Sequence, residues 1–264
     1  MRIRLHRILH RGSESIANFG RWRRKIMPLF FLNKEELWFP RLNEMGSDIV
    51  ATGADLRPER LILAYSMGIY PWYERPRDIF WWCPEERAVL FLDELHVSHS
   101  MRNVINKGIF TWTMDQAFDD VMAGCRSGKR IGETWIHEEM AKAYTKLHKM
   151  GYCHSVEVWQ DGELAGGLYG VSLGNMFFGE SMFTLRPNAS KYGFIMLCRF
   201  LHEKNWQFID CQVANQYTLS FGTRDIPREL FLDLLRVQMK FPTVRGNWGD
   251  PKVWDNPVKT PHPW

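Results

Sequence analysis

The stretch from Ser155 to Ser181 constrains the fold more tightly than any other. Ser155-Val156-Glu157-Val158-Trp159 alternates in polarity, Asp161-Gly162 is a hairpin-turn dipeptide, and Glu163 to Ser172 reads as the returning strand. Gly174-Asn175 turns the chain again into Met176-Phe177-Phe178-Gly179-Glu180-Ser181. Three antiparallel strands in meander order are expected, and a sheet with an apolar face must be covered.

Helices are available to cover it. One, preceded by Asp115 as its cap, presents Phe118, Val121, Met122 and Cys125 on one face. Another, from about His137, presents Met140, Tyr144 and Leu147 and closes at Gly151. A third runs from Ser190 to about Glu203 with Ile195, Leu197, Cys198 and Leu201 apolar, and leads into Phe208-Ile209-Asp210-Cys211-Gln212, a short buried-strand signature. Ala88-Val89-Leu90-Phe91 reads as a further strand and Ser98 to Ile105 as a short helix. Pro58 opens a helix carrying Leu61, Ala64 and Tyr65, and Pro227 opens the last helix, expected to bury Leu230, Phe231 and Leu234. The aromatic, Pro-constrained strings Gly68-Ile69-Tyr70-Pro71-Trp72-Tyr73 and Phe80-Trp81-Trp82-Cys83-Pro84 place a domain junction near Pro84. The fold class is therefore α+β, and the Pro- and Trp-rich tail from Thr243 to Trp264, without periodicity, is expected to be extended or poorly ordered.

Charge is unevenly placed. Before Met27 there are eight cations (Arg2, Arg4, Arg7, Arg11, Arg21, Arg23, Arg24, Lys25) against Glu14, so this segment carries +7 and the rest of a chain of net charge +4 carries −3. Any RNA site on the folded body must then be a local patch. The basic opening reads as a transit peptide, as a basic arm, or as sequence upstream of a true start at Met27, where the composition becomes that of a folded protein. Five cysteines without a Cys-x-x-Cys pair argue against a disulfide framework and a zinc ribbon, and no run of 18 apolar residues occurs, so a cytoplasmic protein is expected.

Several chemistries lack their residues. No phosphate-loop or dinucleotide glycine motif occurs, and His137-Glu138-Glu139-Met140 stops short of a zinc helix. His96 and His99 read as surface or satisfied core residues rather than a metal pair. Phe183 stands where a nucleophile elbow around Ser181 needs glycine. What remains is Glu180 at one strand end and Asp210 with Gln212 at another. The residues alone leave two readings open, an acid–base centre and a structural ion pair or strand cap. Trp72, Trp135, Tyr169 and Phe177 are suited to line an apolar pocket or stack on a base, and each equally suits a core.

Ordered strings add a resemblance. Asp55-Leu56-Arg57-Pro58-Glu59-Arg60-Leu61, Gly68-Ile69-Tyr70-Pro71-Trp72, Trp81-Trp82-Cys83-Pro84, Glu133-Thr134-Trp135-Ile136, His154 to Trp159, Gly166 to Val171, Phe178 to Phe183, Asn188-Ala189-Ser190-Lys191 and Ile209 to Val213 occur in the order seen in leucyl/phenylalanyl-tRNA-protein transferases, which the chain resembles from about Leu29 to Pro242. The resemblance implies a small N-terminal domain (residues 27–84, after a basic extension 1–26) packed on a larger acetyltransferase-like (GNAT-like) domain (residues 85–242), with the tail 243–264 beyond it. It implies transfer of Leu or Phe, and Met less readily, from aminoacyl-tRNA to proteins beginning with Arg or Lys, marking them for N-end-rule degradation. No cofactor, metal or membrane is implied, and a monomer is expected. Trp72, Phe177 and Leu168 match the family's apolar pocket, Leu168 shaping its floor, and Trp135 matches the residue stacked on the terminal adenine. Glu180, Asp210, Gln212 and Asn215 match the polar centre, with Asp210 and Gln212 expected to orient the attacking amine and manage its proton.

One departure stands out. Where the family carries an Arg and Lys cluster on the acceptor stem, this chain has His99, Asn103 and Asn106 and keeps Arg102 and Lys107, leaving Lys129, Arg130 or the basic arm to compensate. Two rival readings share the fold. An acyl-CoA N-acetyltransferase needs a Gly-rich phosphate loop, which Arg186-Pro187-Asn188-Ala189-Ser190-Lys191 does not supply. A non-catalytic RNA-binding relative would have no need of Glu180, Asp210 and Gln212 together.

Overall fold

A computed structural model describes residues 29–42, 47–73, 79–127, 136–255 and 257. The readings made above for the basic opening, Lys129, Arg130 and Trp135 fall outside these residues.

The chain begins with strands β1 (Phe30–Leu32) and β2 (Ile49–Gly53), helix α1 (Pro58–Ser66), and strands β3 (Tyr70–Pro71) and β4 (Phe80–Trp82). These strands form a small sheet in the order β1-β2-β4-β3. Pro58 occupies the first turn of α1, where its missing N–H costs nothing, and Leu61, Ala64 and Tyr65 lie on its buried face. Next come β5 (Glu86–Phe91), α2 (His99–Asn106), β6 (Thr111–Met114), α3 (Phe118–Arg126) and α4 (Glu138–Lys149). The meander follows as β7 (Cys153–Gln160), β8 (Glu163–Leu173) and β9 (Met176–Thr184), then α5 (Ala189–Glu203), β10 (Phe208–Asp210), α6 (Gln216–Leu219), β11 (Arg224–Pro227), α7 (Arg228–Gln238) and α8 (Lys252–Asp255).

The larger sheet runs β11-β5-β10-β9-β8-β7-β6. Its β9/β10 pair is parallel and the other pairs are antiparallel. The meander stands where the alternation put it, turning at Asp161 and Gly162, both at positive φ as a two-residue hairpin turn requires. After it, α5 carries the chain across and β10 pairs parallel to β9, the meander, helix and strand order expected from the sequence. The class is α+β, with the small N-terminal unit packed against this sheet.

Two apolar cores lie on the two faces of the large sheet. One joins the small sheet and α1 to α3, α4 and the inward residues Tyr169, Val171 and Phe178. The other packs α5 and the C-terminal segment on Leu168, Phe177 and Ile209. Successive residues of a strand serve opposite cores.

Three local expectations need correction. The buried stripe of α7 is Phe231, Leu235 and Gln238, while Leu230 is 47% exposed and Leu234 half-buried, because the helix turns Phe231 onto Arg87 of β5. Asp115 caps no helix. Its carboxylate accepts from the backbone N–H groups of Ser155 (2.9 Å) and Trp248 (2.7 Å), with His154 Nδ1 at 2.8 Å, and α3 begins after Ala117 without a side-chain cap. The first part of the tail is packed rather than extended. Trp248 is 1% exposed, stacks on His154 with ring centroids 3.9 Å apart, and donates its indole N–H to the carbonyl of Val244. A Trp-rich segment without periodicity can thus be core when single aromatics plug pockets in a sheet face. Trp248→Ala should cost about 3–5 kcal/mol in urea denaturation, and a loss below about 1 kcal/mol would show that the segment only rests on the surface.

Candidate active site

Strands β9 and β10 run side by side with Phe178 opposite Asp210, so the two carboxylates picked out in the sequence end up on neighbouring strands. Glu180 lies at an irregularity. Tyr169 pairs with Ser181 and Gly170 with Gly179, which leaves Glu180 as the unpaired residue of a β-bulge. The alternation changes phase there, since Phe178 before it and Phe183 after it join the same core while Met182 joins the other. A side chain at position 170 is impossible without rearrangement, because a Cβ would stand 2.3 Å from the carbonyl oxygen of Phe178.

The bulge aims Glu180 at the seam between the small unit and the large sheet. Tyr65 of α1 donates to one carboxyl oxygen at 2.7 Å, Tyr144 of α4 to the other at 2.9 Å, and the Gln212 amide donates to the first at 2.8 Å. The two phenol oxygens are themselves 2.5 Å apart. Glu180 and the two phenols form a ring of three oxygen contacts; when both phenols donate to the carboxylate the contact between them carries no proton, and hydrogen bonds in all three contacts need a neutral Glu180 that donates to one phenol.

The electrostatics point the same way. Burial raises the Glu180 pKa to about 7, with the nearby charge of Asp210 adding to it, against the opposing pull of hydrogen bonds from Tyr65, Tyr144 and Gln212. The residue still keeps a solvent-reachable edge. Burial and the facing Glu180 push Tyr65 and Tyr144 well above the ordinary phenol range, so both remain donors.

Asp210 has a different environment. It is completely buried, Arg87 grips it with Nε at 2.8 Å and Nη2 at 2.6 Å, and the backbone N–H of Gln212 donates to it at 2.8 Å. Burial works against the Arg87 charge, but Asp210 outweighs it and the guanidinium pKa rises. With its oxygens engaged in this way, Asp210 orients the turn that carries Gln212, which sits at φ 59°, a left-handed conformation uncommon outside glycine. Asp210 thus forms the ion pair that one of the two sequence readings allowed, whereas Glu180 is met by uncharged donors.

Other expected site residues are dispersed. Trp72 is half-buried against Trp82 in the small unit, with its indole N–H unpartnered among the described residues. Leu168 and Phe177 are buried to 2% and 1% exposure in the opposite core, so the structure does not bring them together with Trp72. Asn215 caps α6, its side-chain oxygen accepting from the backbone N–H groups of Tyr217 and Thr218. Arg102 and Lys107 stand exposed on α2 and at its end. Cys211, between Asp210 and Gln212, has its thiol pushed up to about 12 by burial and so stays protonated. Two surface cavities lie away from this cluster, one beside Gly151 and Gly246 and one between α3 and α4. Among the described residues no cluster of three metal-ligating side chains occurs, and no helix is long and apolar enough to cross a membrane.

Sequence reasoning placed Tyr65 and Tyr144 only on apolar helix faces and missed Arg87. Both phenols carried a signal, since a tyrosine on a buried stripe brings a hydroxyl that needs a partner. For Arg87 the signal was a cation directly before the apolar run Ala88 to Phe91.

Residues 89–236 match the family described as leucyl/phenylalanyl-tRNA protein transferase, and residues 54–85 match the N-terminal domain described for the same family. Three proteins named leucyl/phenylalanyl-tRNA–protein transferase are similar along most of their length. That of Desulfatibacillum aliphaticivorans is 49% identical over 84% of this chain and 96% of its own. That of Myxococcus xanthus is 47% identical over 84% and 97%, and that of Flavobacterium psychrophilum 50% identical over 76% and 97%.

The Glu180 carboxyl binds its proton more tightly folded, with a pKa of about 7, than at its ordinary value of 4.5. Stability should therefore fall as pH rises through that window. Glu180→Gln should flatten this part of the profile, read as urea midpoints on either side of the window. Parallel profiles for the two proteins would contradict the raised pKa.

Proposed function

Because this chain belongs to the leucyl/phenylalanyl-tRNA protein transferase family, we propose that it transfers Leu or Phe, and Met less readily, from aminoacyl-tRNA to proteins whose first residue is Arg or Lys. Such transfer marks the acceptor for degradation by the N-end rule. The five free cysteines suit a reducing, cytoplasmic setting.

The observation that carries the mechanism is the Glu180 carboxyl, met by Tyr65, Tyr144 and Gln212 and held at a pKa of about 7. The acceptor's α-amine attacks the ester carbonyl of the aminoacyl-tRNA. A C–N bond forms, the ester C–O bond breaks, and the terminal adenosine leaves as its hydroxyl, taking up the proton that Glu180 has accepted from the amine. The amine has an unperturbed pKa near 8, so a base of pKa about 7 is closely matched to it. Ionised Glu180 accepts the amine proton, and the phenol ring keeps the carboxyl oriented in either protonation state. Gln212 directs the amine, and positioning supplies much of the rate, because the ester is already activated. The negative charge of ionised Glu180 at a partly dry seam also favours acceptors with a cationic first side chain.

Asp210 enters this scheme through the Gln212 turn rather than by contact with the amine, since its oxygens are already engaged. Trp72 is proposed as a wall of the apolar pocket, and Leu168 and Phe177 as packing on the opposite face of the sheet. Trp135 remains the candidate for stacking on the terminal adenine and Asn215 a candidate contact through its side-chain nitrogen.

Glu180→Gln should lower the transfer rate about 10²- to 10⁴-fold with labelled Phe-tRNA and a Lys-initiated peptide, and leave tRNA affinity close to wild type. Equal losses in rate and affinity would make Glu180 a binding residue only. The same assay with labelled acetyl-CoA separates the acetyltransferase reading, which needs label from that donor, and an inactive relative would take label from neither. For the exposed cations on α2, Arg102→Ala should weaken tRNA binding and reduce the slope of log affinity against log salt by about 1. An unchanged slope would remove Arg102 from the RNA contact.

A further inference from the structure

Arg87 stands near the start of β5 and is 1% exposed. A buried guanidinium is costly unless its charge and its faces are both met. Here the edge meets Asp210, and the faces meet two rings, with the guanidinium carbon 4.7 Å from the centroid of Tyr70 and 4.6 Å from that of Phe231. Tyr70 belongs to β3 of the small sheet, and Phe231 to α7. Arg87 thereby joins three parts of the molecule at one point.

That point bears on Gln212. The same oxygen of Asp210 that accepts from Arg87 Nε also accepts from the Gln212 backbone N–H, at 2.8 Å each. Two backbone bonds tie the turn to β5, from Ala88 N–H to the Gln212 carbonyl and from Cys211 N–H to the Ala88 carbonyl. A left-handed glutamine is strained and persists only where its surroundings over-determine it. Those surroundings are β5, Asp210 and, behind Asp210, Arg87.

We propose that Arg87 is a positioning residue for the transfer reaction. Acting through Asp210, it holds the Gln212 turn so that the amide reaches Glu180, and it touches no substrate itself. This rests on the reading of Glu180 and Gln212 as the reacting centre. If Gln212 swings away, Glu180 loses a donor that favours its ionised form, while the groups that otherwise face it, Tyr65, Tyr144, Tyr169, Tyr70, Cys153 and Asp210, stay in place. The acid limb of the pH–rate profile then moves to higher pH.

The test is Arg87→Lys, which keeps the charge opposite Asp210 but loses the planar fork and the ring sandwich. The expected result is a fall in kcat of about tenfold or more with KM for Phe-tRNA changed by less than about twofold, together with the upward shift of the acid limb. Both effects should vanish in a Gln212→Ala background, where Arg87→Lys adds less than about twofold, because the two residues act in series. If Arg87→Lys melts below the assay temperature, Phe231→Leu removes one face of the sandwich and should move kcat and the acid limb in the same direction by less. Wild-type kcat and pH profile in either folded variant, losses that multiply in the Gln212→Ala background, or unfolding of both variants would overturn the proposal, the last by marking Arg87 as purely structural. Glu180→Gln measured alongside tells the two failures apart. Normal transfer by it removes the reacting centre itself, whereas its loss beside a neutral Arg87→Lys removes only the role of Arg87.

Discussion

A carboxyl group withdrawn from water demands donors, and Glu180 draws them from three parts of the chain that are far apart in sequence. Tyr65 comes from α1 in the small unit, Tyr144 from α4 across the sheet face, and Gln212 from the turn after β10. The packing of the small unit on the large sheet therefore settles the geometry of the site as well as a shared apolar core. A shift of α1 by one turn would take from the carboxyl one of its three donors, leaving Gln212 and Tyr144. The loss of one such hydrogen bond costs about 0.5–1.5 kcal/mol, which favours the arrangement of the two units that keeps it.

The large sheet divides its work between its faces. On one, Tyr169, Phe178 and Glu180 meet α1 and α4; on the other, Leu168, Phe177 and Ile209 meet α5 and Trp248. Adjacent residues of β8, β9 and β10 consequently belong to different cores, one packed against the small unit and one against α5. The bulge at Glu180 lets a strand that is otherwise regular place a carboxyl and the following Phe183 on the same side.

What could be read beforehand follows from the physics of each signal. Period-two alternation and Asp161-Gly162 specified the meander, because both act within a few residues. Glu180, Asp210 and Gln212 were legible as polar groups at strand ends, but their partners were not. Whether a carboxyl is sealed by an arginine or left facing a seam depends on a residue 123 positions away in the case of Arg87 and Asp210. Leu168 and Phe177 were grouped with Trp72 by the family resemblance, whereas the side of a strand on which each falls is decided by register. The burial of Trp248 was hidden for a related reason, since Asp115 and His154, which receive it, lie more than 90 residues earlier.

The reacting ester is proposed to lie on the Glu180 side of the sheet, in the seam bounded by α1 and α4. A crystal structure with a non-hydrolysable 3′-phenylalanyl-adenosine analogue tests this most directly. The amide that replaces the ester should lie within hydrogen-bond or one-water reach of Glu180 and Gln212, with the phenylalanyl ring toward Trp72. An analogue bound on the opposite face, beside α5, or with Glu180 still closed in its tyrosine ring and remote from the amide, would contradict the assignment.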